Sequence, residues 1–189
     1  MKTSKIEIID LFKAWIAISI AFTIVLRSLT ESLTLTFILS LLTVGIGFLF
    51  HELAHKFTAQ NYGYKAEFRS FDLMLLIAII TSFFGFILAA PGATMIASRR
   101  INKERYGKIA AAGPITNLIL AVLFFIVIIF STGFIKLLAV YGYRINTWLA
   151  LFNMIPIWEF DGKKIISWNK SIYFLIIIIA VIFLIVPGL

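Results

Sequence analysis

Residues 41–55 read LLTVGIGFLFHELAH: ten uncharged positions that run directly into His51-Glu52-Leu53-Ala54-His55. An apolar run of this kind continues a helix. On a helix, residues four apart share a face, so the two imidazoles project side by side within reach of one metal ion. They are the only histidines in the chain. Glu52 stands next to the first, where its carboxylate can reach a water at that metal and take its proton, the chemistry of zinc peptidases. In a soluble helix the same residues serve equally well as a solvated polar face. Here the preceding stretch has the character of a membrane segment, and ionisable groups at membrane depth are costly and usually functional.

The rest of the chain shares that character. Hydrophobic residues make up 61%, phenylalanine alone contributes 19 positions, and the mean hydropathy is +1.03, values that belong to polytopic membrane proteins. A crossing takes about 20 helical residues, so residues 1–189 accommodate one transmembrane domain of five or six crossings and no appended recognition domain. With no cysteine, disulfides, thiolate ligands and thiol nucleophiles are excluded. The net charge of +8 in such a chain reports on topology, with the lipid bilayer and not nucleic acid as the partner.

Six apolar regions follow one another: 14–26, 33–50 continuing through the histidines to a stop signal at 61–63, 71–97, 109–130, 137–157 and 171–186. The first is preceded by lysines like a signal peptide. Arg27-Ser28 follows it without a small-residue cleavage site, which marks a retained helix. The region 71–97 is interrupted by Gly85 and by Pro91-Gly92, and its path decides the orientation of everything after it. If it enters and returns on one face, fourteen of the 17 Lys and Arg residues share a side, leaving Arg27, Lys136 and Arg144 on the other. A single crossing there would divide them eight to nine, which the positive-inside tendency disfavours.

The expected fold is therefore an all-α polytopic membrane protein. It has about five transmembrane helices, plus a re-entrant hairpin of one helix and an extended return through 88–92. Extended backbone at that depth must be covered by protein or line a wet cavity. An unpaired strand edge over 88–96 would hold an extended peptide by strand addition. The same count sets the N-terminus in the cytoplasm of a prokaryotic cell membrane, the histidines near the cytoplasmic end of the second helix, and the C-terminus outside.

A catalytic zinc takes three protein ligands and leaves one position for water, and here the third must be a carboxylate. Only Glu159, Asp161 and Asp72 adjoin apolar segments at the level of the histidines, and Gly162 favours Asp161 by letting the backbone turn sharply. Taken alone, residues 159–162 read equally as a loop turn with solvated carboxylates.

Three separated motifs together resemble the site-2 protease family of intramembrane zinc metalloproteases. They are Phe50-His51-Glu52-Leu53-Ala54-His55, Gly113-Pro114-Ile115-Thr116-Asn117, and Asn153-Met154-Ile155-Pro156 with Asp161-Gly162. The similarity spans about residues 40–168 and is to compact prokaryotic members without a PDZ or CBS domain. It implies one zinc ion per chain held by His51, His55 and Asp161, with Glu52 as general base and proton shuttle. Asn153 and Asn117 would be amides of the core, which either bond the substrate backbone or the developing oxyanion, or tie helices together. Gly113-Pro114 would allow close helix packing and a kink, and Pro156 and Gly162 complete the third motif. The activity implied is hydrolysis of peptide bonds in transmembrane substrates near the cytoplasmic face, as in regulated intramembrane proteolysis.

Lys163 and Glu159 depart from the family, which often has a glycine and a proline at those positions. A membrane zinc-binding or zinc-transport protein, or a catalytically silent scaffold, are the alternatives. A transporter needs ligands staged across the bilayer, whereas these cluster at one level.

Overall fold

A computed structural model describes residues 2–87, 91–98 and 101–185. Helix α1 (Lys5–Val25) starts at Ser4, whose hydroxyl accepts from the Glu7 N–H as an N-cap. The second rod comprises α2 (Leu33–Ser40), a π turn (Leu41–Gly45) and α3 (Ile46–Asn61). Then come β1 (Lys65–Ser70), α4 (Asp72–Ser82), β2 (Gly92–Ala97), α5 (Lys103–Phe130), α6 (Gly133–Asn153), α7 (Asp161–Trp168) and α8 (Lys170–Ile185).

Among the described residues, three helices are long and apolar enough to cross a membrane: α1, the rod Leu33–Asn61, and α5. Helix α6 has comparable length, but Arg144, Asn146 and Asn153 dilute its apolar character, and the described part of α8 spans 16 residues. Helix α5 begins at Lys103, ahead of the apolar run at 109, because Asn102 caps it and Lys103-Glu104-Arg105 are good helix formers. Helix α6 stops at Asn153, short of the expected 157, leaving Pro156 in the loop beyond it. Residue 186, the expected end of the last segment, lies outside the described residues.

The region 71–97 holds a helix followed by an extended return, with residues 88–90 outside the described residues. The expected extended β return is present, and one point needs correction: it is half of a pair, β2 running antiparallel to β1 from Lys65↔Ala97 to Ser70↔Gly92, so a two-stranded sheet accompanies the helices. The signal for β1 was present in the alternation of Ala66 and Phe68, both buried, with more exposed neighbours. Gly92 permits the pairing, since a Cβ there would overlap the Phe68 ring. Among the described residues no strand pairs with the other edge of β2, which stays open. The Phe68 N–H turns away from β2 to the Glu7 carboxylate. By the alternation of an antiparallel ladder, its neighbour Thr94, with Gly92 and Ile96, therefore directs N–H and C=O groups to the far edge.

Apolar side chains cover the outside. Phe130 is 83% exposed and Phe84 75% exposed, an expense in water that lipid removes. Polar residues lie within: Thr36, Ser40, Thr43, Asn117, Asn146 and Thr147 are fully buried. A buried ion pair, Lys56 Nζ to Glu7 Oε2 at 2.6 Å, ties α3 to α1, and the same carboxylate holds β1 through Phe68. At the π turn the indole N–H of Trp15 donates to the Leu41 carbonyl, and Gly45 gives the Trp15 ring its place. Such turns free backbone groups of a helix and re-phase its next segment, here the one bearing the histidines.

Candidate metal centre

Helix α3 presents His51, Glu52 and His55 as buried residues on its inner face, their ligand atoms all within 4.8 Å of one another. The two Nε2 atoms are 3.0 Å apart. Asp161 Oδ2, from the first residue of α7, lies 3.2 Å from His51 Nε2 and 3.1 Å from His55 Nε2. Ligands about 2.0–2.1 Å from a tetrahedral metal stand roughly 3.3 Å apart. The three atoms thus converge on a point at the separation such an ion requires.

Hydrogen bonds on the far side of each ring fix which nitrogen is free. Asn117 Nδ2 donates to the Gly47 carbonyl at 3.1 Å and to Asn146 Oδ1 at 3.0 Å, which uses both of its hydrogens. Asn117 Oδ1 therefore faces His51 Nδ1 at 2.6 Å as an acceptor, so that nitrogen carries the proton and Nε2 keeps its lone pair. His55 Nδ1 donates to the Ile109 carbonyl at 2.8 Å with the same result. Both orienting groups come from α5, which packs along α3.

Gly113 of α5 lies against the centre. A Cβ there would sit 2.5 Å from His55 Nε2 and 2.6 Å from His51 Nε2, in the space where the ligand atoms converge. Its expected role was close helix packing, and what it approaches is the imidazole pair. Pro114 comes next, within the continuous α5 helix.

On the carboxylate side, a Cβ on Gly162 would overlap the Met154 carbonyl, so glycine lets the start of α7 close onto the end of α6. Asp161 is buried, and its Oδ1 lies 3.7 Å from Lys164 Nζ. Glu159 is exposed, on the loop where Trp158 has a φ of 52°. Asp72, the other carboxylate considered, is paired with Lys13 of α1 at 2.8 Å. Asn153 bonds along its own helix, Nδ2 to the Leu149 carbonyl at 2.9 Å.

Three contributors are not evident in the sequence. Thr94 of β2 places its hydroxyl 3.0 Å from Glu52 Oε2 and 3.0 Å from the Glu52 carbonyl. Asn146 supports Asn117, and Gly47 makes room for it, since a Cβ there would lie 2.5 Å from Asn146 Oδ1. An amide within an otherwise largely apolar helix was the one available signal for Asn146. Thr94 is recognisable only once β2 is folded beside α3.

Residues 39–142 match peptidase family M50. Two relatives have names that begin "Putative zinc metalloprotease". The protein from Methanocaldococcus jannaschii is 43% identical over 173 residues, covering 90% of this chain and 88% of that protein. The protein from Bacillus subtilis is 29% identical over 150 residues, 67% of this chain and 66% of that one. No solved structure matches the chain at comparable stringency. With more than half its length matched, and a Methanocaldococcus relative similar along nearly all of it, the chain belongs to peptidase family M50, the site-2 protease family.

Proposed function

We propose that this protein is a zinc metalloprotease that hydrolyses peptide bonds of transmembrane substrates near the cytoplasmic face of the membrane. The observation that carries this reading is the convergence of His51 Nε2, His55 Nε2 and Asp161 Oδ2, with Glu52 beside them. These three residues would hold the zinc that the names of both relatives include. When bound, zinc supplies the Lewis acidity that activates a water nucleophile and polarises the scissile carbonyl.

The chain's residues perform the remaining work. Glu52 takes the proton of the attacking water and later delivers it to the leaving amine, so one carboxylate serves as base and then as acid. Asn153 keeps one amide hydrogen beyond the one donated to Leu149, available to a substrate carbonyl or its developing oxyanion. A substrate helix hides its carbonyls in internal hydrogen bonds and must unwind before it can be cut. The open edge of β2, presenting Gly92, Thr94 and Ile96, would receive the unwound strand beside Glu52. Orientation follows the basic residues: the α5 start, with Lys103, Arg105 and Lys108, and α7, with Lys163 and Lys164, share the cytoplasmic side with the metal centre. Helices α6 and α8 would complete five crossings.

Zinc content and cleavage of a transmembrane test substrate, measured together in liposomes, test the proposal. Wild type should carry one zinc and cleave. Glu52→Gln should keep the zinc and lose cleavage by about 10²-fold or more, and Asp161→Asn should lose both. Wild-type protein with zinc but no cleavage of any transmembrane substrate, or full proteolysis by Glu52→Gln, would overturn it.

A further inference from the structure

Thr94 stands outside all three motifs and on a different element from every proposed ligand, yet its side chain meets Glu52 twice. Its Oγ lies 3.0 Å from the carboxylate Oε2 and 3.0 Å from the backbone carbonyl of the same residue. A hydroxyl has one proton to donate and two lone pairs to accept with. The two Glu52 oxygens therefore compete for one donor. We infer that Thr94 is a positioning residue for Glu52, one whose hydroxyl serves the carboxylate both without and with the proton it carries during hydrolysis.

The ionised carboxylate is the stronger acceptor, so the Thr94 proton points to Oε2 and fixes the rotamer of Glu52 toward the metal centre. Once Glu52 has taken the water's proton on the oxygen facing the metal centre, Oε2 is the carboxyl C=O and still accepts from the Thr94 hydroxyl, so the proton stays aimed at the leaving amine. The bond count is unchanged, and Thr94 gives up no proton to the reaction. Without that hydroxyl, Oε2 would lose this partner in both states, a cost at a buried carboxyl. The backbone carrying Thr94 reinforces the assignment. Thr94 lies in the middle of β2, braced on one edge by β1, which Glu7 holds through the Phe68 N–H. The strand proposed to receive substrate is thus the same one that sets the base.

This inference rests on Glu52 being the base, and the test separates the two. Thr94→Val keeps the β-branched shape and removes the hydroxyl, Thr94→Ser restores it, and Glu52→Gln is run alongside. The measurements are kcat and KM on a transmembrane substrate in liposomes, together with metal content and the visible spectrum of the cobalt-substituted protein, which report the site independently of turnover. Thr94→Val should lower kcat by about tenfold to a hundredfold, the cost of a lost hydrogen bond to a charged group. KM, metal content and the cobalt spectrum should stay at wild-type values, and Thr94→Ser should recover most of kcat. Wild-type kcat in Thr94→Val, a Thr94→Ser as slow as Thr94→Val, or a defect confined to KM or metal content would overturn the role of Thr94. If Glu52→Gln cleaves normally, it is the assignment of the base that fails.

Discussion

His51 and His55 sit one turn apart within a 16-residue helix, and a second long helix, α5, supplies the groups that orient both rings. Asp161 instead opens an eight-residue helix beyond a loop that contains Trp158 at a φ of 52°, and is held by the contact of Gly162 with the end of α6. The histidine half is thus pre-formed by two packed rods, with the tautomer of each ring set from behind. The carboxylate half depends on a short element being pressed against its neighbour. A site built this way should tolerate loss of the carboxylate's support better than intrusion between the rings, because a displaced α7 can return when a metal pulls on it and a packed α3–α5 pair cannot move apart.

Gly113→Ala should produce the larger effect. The added Cβ would stand 2.5 Å and 2.6 Å from the two Nε2 atoms proposed to hold zinc, whereas alanine suits the α5 backbone. Helical content and thermal stability should stay near wild type, while zinc affinity falls by more than about a hundredfold, beyond the usual cost of losing an orienting partner. Competition with a chromophoric chelator measures it, and an alanine variant of wild-type affinity would refute the placement of Gly113 in the ligand space. Gly162→Ala should rank second. Its Cβ overlaps the Met154 carbonyl, so α7 must shift at a cost of about 1–3 kcal/mol, the usual range for overpacking. Zinc should bind about tenfold more weakly, with part of that recovered at high zinc because binding draws Asp161 back. If Gly162→Ala proves worse than Gly113→Ala, the carboxylate side is the rigid one and the comparison is reversed.

Much of this contrast was legible in the residues. The histidine pair and the rod that carries it follow from the local spacing of residues 41–55, because helical periodicity alone puts both rings on one face. The bent path of 71–97 was readable from Gly85 and Pro91-Gly92 with the distribution of Lys and Arg. Nothing local said that residues 65–70 would pair with 92–97, since strand pairing is a relation between distant segments. Spacing narrowed the proposed third ligand to a few carboxylates. Only the packing of α7 on α5, with Gly162 against Met154 at the end of α6, sets Asp161 against the rings while leaving Glu159 exposed and Asp72 paired with Lys13. Thr94 and Asn146 were hidden for the same reason, because each acts on a residue of another element.

The smallest expected effect tests how finely the histidine half is set. Asn146 touches no ligand. It accepts from Asn117 Nδ2, and its own Nδ2 donates to the Gly142 carbonyl at 2.9 Å. Asn117→Ala removes the acceptor of the His51 Nδ1 proton, so affinity for zinc should fall by about 10- to 100-fold. Asn146→Ala leaves that acceptor in place, and Asn117 keeps its bond to the Gly47 carbonyl. What it loses is the second bond that holds the amide's orientation, so the fall should be about threefold to tenfold, near the net worth of one neutral hydrogen bond. Equal losses in the two variants would mean that the amide flips once Asn146 is gone, exposing His51 Nδ1 to a donor. No loss in Asn146→Ala would mean that the Gly47 bond alone fixes the ring, and the rigidity of the histidine half would then belong to the α3 backbone.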